Sequence, residues 1–337
     1  MKAIIIQRPF EIKIGDVDQP RIGKKDILVK VKAVGICASE IHAYQGVHPW
    51  RVPPVISGHE FSGEVVGVGA DVKGFIVGDR VTACPIISCG VCEYCLSGKS
   101  NLCENVKILG TPQWPGPFGE YVSIPYTVAH KLPDNVSFEE GALIEPFAVG
   151  LHTIRRTNLK SGQTALIIGA GAIGLCTLIA AKLLNIKTLV CEINDFKINV
   201  AKKLGADAVV NPLTQDLREA LKSFGMPKGV DATIDCAGTK ESILNAIDSV
   251  KKAGTVVITA LFKSRAEIDP RIIMSRELNI IGSLMYTGDE FRQAVESCEL
   301  VKNSLRQLIT HRMKFENAEE AFKLMLENKA IRIILSP

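Results

Sequence analysis

Residues 164–192 read TALIIGAGAIGLCTLIAAKLLNIKTLVCE, and the organisation of the whole chain follows from how this stretch folds. Residues 165–168 form a short, β-prone apolar run. Gly169, Gly171 and Gly174 then fall in the G-x-G-x-x-G spacing of a dinucleotide-binding turn, followed by an apolar helix and a second strand that ends in a carboxylate. The first glycine permits a tight turn, the second lets backbone approach a pyrophosphate, and the third lets the helix pack against its strand. The N–H groups of Gly171, Ala172 and Ile173 at the helix start would face the phosphates, favoured by the helix dipole. Glu192 follows Gly174 by 18 residues, close to the spacing of a carboxylate that binds the adenosine ribose hydroxyls. The turn alone also fits an ordinary loop, and Glu192 favours the nucleotide. Residues 161–181 carry no charge and match a membrane span in length, but the central glycines and the preceding strand argue against one.

Working outward, 337 residues suggest two domains, each with enough chain for its own core. Lys and Arg number 40 against 36 Asp and Glu, and a net charge of +4 is too mild to imply nucleic acid or an anionic membrane as partner. The opening MKAIIIQRPFEIKIG lacks the apolar region and cleavage site of a secretion signal, so the expected compartment is cytoplasmic. Ten cysteines in such a chain ask for metal or catalytic chemistry before disulfides. Cys176, Cys191, Cys236 and Cys298 sit in apolar surroundings and read as inert buried thiols.

Residues 1–130 are rich in short Val/Ile runs, at 3–6, 27–34, 61–68 and 80–83, separated by Gly, Pro and Asp. A small barrel or sandwich fits them. Ser137 with Glu140 gives a capping-box helix start, and residues 142–154 read as one helix. From there strands (165–168, 188–192, 208–210, 231–235, 255–259, 278–282) alternate with helices (172–184, 196–204, 216–224, 241–250), which implies a doubly wound parallel sheet. The tail is mixed, with helices at 291–301 and 318–327, a short segment around 309–313 and a strand at 331–335. A second domain inserted into the first explains a tail that is neither linker nor sheet.

Cys89-x2-Cys92-x2-Cys95-x7-Cys103 supplies four thiolates for one tetrahedral Zn²⁺, a closed and therefore structural site within a lobe at residues 84–106. Gly90 and Gly98 relieve the turns, and Lys99 offsets the negative charge. Cys84 falls outside this set. A second, scattered group comprises Cys37, the adjacent pair His59–Glu60, and Glu145. One thiolate, one imidazole and one or two carboxylates could form an open zinc site, although a lone His beside a Glu is more often simply hydrogen-bonded.

Taken together, GICASEIH, GHEFSGEVVGVGADV, GDRV, the four-cysteine lobe, FGEY and GAGAIG closely resemble the zinc-dependent medium-chain alcohol dehydrogenases, along the whole length of the chain. The resemblance implies an α/β protein: a GroES-like β-rich catalytic domain (residues 1–146 and 286–337) with an inserted Rossmann NAD-binding domain (147–285). By the family pattern Cys37, His59 and Glu145 align with catalytic zinc positions, and Glu60 either binds that metal or holds a ligand. Two zinc ions per chain are expected, one catalytic and one structural. The Glu145–Pro146 pair resembles the sorbitol and polyol branch. Ser39 and His42 match positions that pass the alcohol proton outward. The chain departs from the usual G-S-D or G-T-D after the cysteine, reading Ala38, Ser39, Glu40.

The activity implied is reversible oxidation of a secondary alcohol (a polyol, sugar acid or vicinal diol) to a ketone, with hydride passing to NAD. NAD is preferred to NADP because Glu192 would bind the ribose diol and repel a 2′-phosphate. Tyr44, Trp50, Phe118, Leu261 and Met285 are candidate pocket residues. L-threonine 3-dehydrogenase activity and a non-catalytic zinc- and NAD-binding sensor remain as alternatives. The resemblance also suggests a homodimer or homotetramer.

Overall fold

The computed structural model describes residues 1–262 and 264–337. The chain enters through β1 (Lys2–Arg8) and β2 (Glu11–Asp16), a two-stranded antiparallel ribbon, and continues into the long strand β3 (Asp26–Gly35). Helix α1 (Ala38–Tyr44) follows, then β4 (Glu60–Val68) and β5 (Arg80–Ala83). The cysteine lobe comes next, with β6 (Ile86–Ile87), the single-turn helix α2 (Glu93–Leu96) and β7 (Lys107–Ile108), where β6 and β7 pair only with each other. Then come β8 (Tyr121–Pro125), β9 (Ala129–Lys131) and α3 (Phe138–Ala142).

Helix α4 (Ile144–Arg156) carries the chain into the alternating segment: β10 (Thr164–Ile168), α5 (Ala172–Leu183), β11 (Lys187–Cys191), α6 (Asp195–Lys203), β12 (Ala208–Val210), α7 (Leu217–Ser223), β13 (Val230–Asp235), α8 (Lys240–Ser249), β14 (Val250–Ile258), α9 (Pro270–Arg276) and β15 (Asn279–Gly282). It ends with α10 (Gly288–Arg306), β16 (Ile309–Lys314), α11 (Ala318–Leu326) and β17 (Arg332–Ser336).

Two units result. One comprises Met1–Glu145 with Thr287–Pro337, and the other Pro146–Tyr286. In the first, a seven-stranded sheet runs β16-β17-β3-β4-β5-β9, with β8 pairing on β3. The returning tail is built into it: β17 pairs antiparallel with β3, setting Leu335 against Val34. Its core gathers Ile4, Ile27, Val29, Phe61, Phe118 and Phe322, all fully buried. Arg306 of α10 clasps Glu140 at the third position of α3, with Nε donating at 2.9 Å.

In the second unit six strands, all parallel, run β12-β11-β10-β13-β14-β15. Order reverses beside β10, the strand that opens residues 164–192, and such a switch point is where open α/β sheets bind ligands. β10 is buried at every residue, as parallel strands covered on both faces must be.

The expected helix over 142–154 is two helices. The first stops at Leu143, and Pro146 lacks the N–H that a continuous helix would offer residue 142. Val250 belongs to a strand instead of the helix before it. Helix α9 was not anticipated, although Asp269 caps it by accepting the Arg271 N–H and Pro270 occupies its first turn. Strands β2, β8 and β9 likewise lie outside the apolar runs that mark the others in the sequence.

Candidate active site

Cys37 is the N-cap of α1, at the end of β3, and its N–H donates to the carboxylate of Glu40 at 3.0 Å. His59 and Glu60 arrive where β4 begins, antiparallel to β3, with Glu60 opposite Gly35. A Cβ on residue 35 would stand 2.4 Å from the Glu60 carboxylate, so glycine is what lets that side chain lie against the strand. Glu145 sits in the first turn of α4. Two groups of potential ligand atoms result, Cys37–Glu40–His59 and His59–Glu60–Glu145, each with its atoms within 4.8 Å of one another. They share His59.

The electrostatics separate the members of this cluster. Glu40 is wholly buried and its lone pairs are occupied: Oε1 takes the Ser57 hydroxyl at 3.0 Å and faces His59 Nδ1 at 2.9 Å, while Oε2 takes the Cys37 N–H. Burial alone would raise its pKa, but His59, Arg51 and the Cys37 N–H hold it far below the usual carboxylate range. Glu40 therefore orients ligands and has little left to bind a metal. With Nδ1 so engaged, His59 keeps Nε2 for coordination, the usual carboxylate–histidine arrangement behind a metal.

Glu60 differs. Neither of its buried oxygens has a hydrogen-bond partner, although Arg332 Nη2 stands 2.8 Å away as an ion pair. Burial, with the negative charges of Cys37 and Glu145, pushes its pKa well up against the pull of Arg332. Burial would also raise the Cys37 thiol, yet the hydrogen bond and charge of His59, with Arg332 behind, lower it to about 6. A thiol poised to ionise, the imidazole hydrogen-bonded to it and orphaned buried carboxylate oxygens are the donor set of a zinc site, and the residues fit that ion.

Ser39 follows in the first turn of α1. Its Oγ is buried with no hydrogen-bond partner, and His42 lies in the last turn of the same helix.

All ten cysteines are free thiols. In the lobe, Cys92 and Cys95 sulfurs are 3.5 Å apart and Cys89 and Cys95 sulfurs 3.9 Å. A tetrahedral shell with Zn–S near 2.3 Å has edges of about 3.8 Å. Cys103 closes the group, accepting the Cys89 N–H at 3.2 Å. Burial and the neighbouring thiols push Cys95 up to about 12, whereas backbone N–H groups lower Cys92 to about 6. Four thiolates this close need a cation, and the spacing fits zinc. Cys84 stays apart, its buried thiol donating to the Ile86 carbonyl and pushed up to about 12 by burial.

The nucleotide turn is formed as its glycines require. Gly169 adopts φ +94°, Gly171 faces open space where a side chain would begin, and a Cβ on Gly174 would lie 1.9 Å from the Gly169 carbonyl oxygen. Gly171 caps α5, with Ala172 and Ile173 its first residues. Glu192, just past β11, is buried, and its carboxylate accepts N–H groups from Ala170, Ile193 and Asn194.

The sequence alone does not point to the roles of Glu40, Ser57, Arg51 and Arg332. Glu40 was visible there only as a departure from a motif, while Arg51 and Arg332 gave no local signal because their partners are distant in sequence. One pocket expectation is corrected. Phe118 is fully buried in the core against Phe322, where it can line nothing, and Tyr44 packs edge-on to Phe10 and Phe322. Trp50 and Leu261 are exposed. Among the described residues no helix is long and apolar enough to cross a membrane.

Comparison with known proteins agrees with this chemistry. Residues 23–134 match the alcohol dehydrogenase GroES-like domain and residues 172–299 the zinc-binding dehydrogenase family. The chain is 35% identical to sorbitol dehydrogenase of Bacillus subtilis, covering 100% of this chain and 97% of that protein. It is 31% identical to L-threonine 3-dehydrogenase of Cronobacter sakazakii, covering 100% and 99%. Among solved structures, 2R,3R-butanediol dehydrogenase of Bacillus subtilis superposes with a TM-score of 0.91 at 32% identity, over 100% of this chain and 99% of that one. A zinc-binding dehydrogenase of Sinorhizobium meliloti 1021, solved with NADP bound, reaches 0.94 at 33% identity over the same shares.

Proposed function

The chain belongs to the zinc-dependent medium-chain alcohol dehydrogenases, and from that premise we propose that it reversibly oxidises a secondary hydroxyl of a polyol or vicinal diol to a ketone, with NAD as hydride acceptor. One observation carries the reading. Cys37, His59, Glu60 and Glu145 converge through two ligand groups that share His59, and Ser39 brings an unpartnered hydroxyl on the same short helix as His42.

Cys37 and His59, with Glu60 or Glu145, would hold the catalytic ion; Cys89, Cys92, Cys95 and Cys103 would hold a structural one. When bound, zinc supplies Lewis-acid polarisation and nicotinamide supplies a hydride acceptor. The chain's own residues handle the proton. Ser39 Oγ accepts it from the substrate hydroxyl while giving up its own hydroxyl proton, and His42 passes that proton outward, a role suited to an imidazole near neutrality. The N–H groups of Gly171, Ala172 and Ile173 receive the cofactor's pyrophosphate, and Glu192 receives an adenosine ribose hydroxyl. The buried Glu192 carboxylate opposes a 2′-phosphate, which supports NAD over the NADP carried by the Sinorhizobium relative.

L-threonine is the second reading, supported by the relative named above. A panel of sorbitol, an aldonate, 2,3-butanediol and L-threonine, each with NAD and with NADP, tests the assignment while zinc is counted in the same preparation. Turnover of a polyol or diol with two zinc ions per chain is expected. Turnover of threonine alone selects the second reading, and a single zinc without turnover of any substrate selects a binding protein. A homodimer or homotetramer is part of the same proposal and is read by light scattering.

A further inference from the structure

Glu40 presents a problem of charge. Its carboxylate is fully buried, and among the described residues its ion-pair partners are His59 and Arg51 alone. An imidazole that coordinates a metal through one nitrogen is neutral, donating Nδ1–H without a full positive charge. That leaves Arg51 as the permanent cation facing Glu40. Its Nε stands 3.3 Å from Glu40 Oε1, and its side chain is only 5% exposed.

Arg51 is itself held from the other side. Its Nη2 donates to the Leu109 carbonyl at 3.2 Å. Its backbone N–H and that of Trp50 both donate to His48 Nδ1, at 3.0 and 3.1 Å, which turns the loop so that the Arg51 side chain enters the protein. Glu40 is equally constrained, because at the third position of α1 it reaches back to the Cys37 N–H in a capping box, a reach that suits glutamate better than the shorter aspartate.

We propose that Arg51 is a positioning residue for the metal ligand His59, acting through Glu40. It holds the carboxylate in place, and the carboxylate in turn fixes the imidazole's tautomer and direction. The inference rests on the reading of His59 as a ligand of the catalytic zinc.

The test is zinc release from the purified, zinc-loaded protein to a chromophoric chelator, resolved into two ions per chain. Loss of an outer partner behind a metal-bound histidine typically costs about 10–100-fold in metal affinity. Arg51→Met is therefore expected to release one zinc about 10–100-fold faster and to leave the second, held by the four cysteines, at its original rate. Arg51→Lys, which keeps a charge but offers one ammonium to two acceptors, should fall between. In the double variant Arg51→Met/Glu40→Gln the acceleration should be no greater than in Glu40→Gln alone, because both act on one path.

An arginine that merely held its loop would lower the thermal midpoint and leave the ratio of the two release rates unchanged; that result overturns the proposal, as do independent, multiplicative effects in the double variant. Should Arg51→Met fail to fold, wild-type release from Arg51→Lys overturns it equally. His59→Ala separates the two readings: if that variant retains both zinc ions as wild type does, His59 is not a ligand and the underlying assignment falls, whatever Arg51 does.

Discussion

The carboxylate of Glu192 accepts the backbone N–H of Ala170 at 2.6 Å, tying the glycine turn to the strand end 22 residues later. Its other oxygen accepts the N–H groups of Ile193 and Asn194 at 2.8 and 2.9 Å. Three backbone donors thus share the group proposed to receive the ribose. Glu192→Ala is expected to lose about 1–3 kcal/mol of stability from the stranded donors as well as its preference for NAD. Glu192→Gln keeps a carbonyl acceptor and removes the charge. Its single carbonyl can serve only one of the two donor sets, so the thermal midpoint should fall below wild type, while the ratio of NADH to NADPH dissociation constants, measured by fluorescence titration, moves towards NADPH by about tenfold. An unchanged ratio would remove Glu192 from cofactor selection.

Gly171 and Gly174 make a second contrast. A methyl group on residue 171 meets open space, and its φ of −67° suits any residue. Gly171→Ala should therefore melt as wild type does while binding cofactor at least about tenfold more weakly, because the methyl occupies the approach of the pyrophosphate. Gly174→Ala drives a methyl into the Gly169 carbonyl, so helix α5 must shift. A loss of more than about 2 kcal/mol in denaturant unfolding is expected there.

Ser39 offers the opposite pattern. Its buried hydroxyl has no partner, so Ser39→Ala leaves no group stranded and should be neutral or slightly stabilising. Removing a proton-transfer group typically costs about 10²–10⁴-fold in rate. Calorimetry and steady-state kinetics on one preparation decide the matter: a wild-type kcat would exclude the serine from the relay.

Replacing Cys95 with serine in the lobe should drop zinc content from two ions per chain to one and expose the lobe to proteolysis. Fragments that begin within residues 84–106, mapped by mass spectrometry, would report that local opening. Full zinc content in the variant would count against a closed four-thiolate site.

The Glu140–Arg306 pair predicts a pH dependence. Burial raises the Glu140 pKa, but the Ser137 N–H and hydroxyl and the Arg306 guanidinium outweigh it and hold the carboxyl below its ordinary value. A depressed folded pKa contributes stability that is present above the unfolded value, about 4.3, and is lost as pH falls through the folded one. Glu140→Gln should thus be less stable than wild type at pH 7, by about 1–3 kcal/mol, and the gap should narrow below about pH 4. Parallel unfolding curves at pH 7 and 3.5 measure it.

Much of this molecule was legible in the chain. The parallel sheet could be read because its strands and all its helices but α9 announce themselves locally, by apolar runs and by caps such as Asn194 and Asp216. The cysteine lobe could be read because its ligands are close in sequence. The first unit was harder, since β2 and β8 are short, half-exposed strands whose pairing partners, not their composition, make them strands. Phe118 misled because an aromatic in a family-like loop looks the same whether it lines a pocket or fills a core. The charge balance around His59 depends on Arg51 and Arg332, which only the fold brings near.

Arg332 has a consequence for the order of events during synthesis. It donates to the Ile36 carbonyl across 296 residues and pairs with Glu60 through a strand that joins the sheet from the far end of the sequence. At about 5–20 residues per second, a ribosome makes Cys37, His59 and Glu60 roughly tens of seconds before it makes their balancing cation. Until then the thiol, imidazole and carboxylates belong to a sheet that lacks β17. Final shaping of the cluster therefore waits for Arg332, and a chain clipped before it would keep its ligands but lose the cation paired with Glu60.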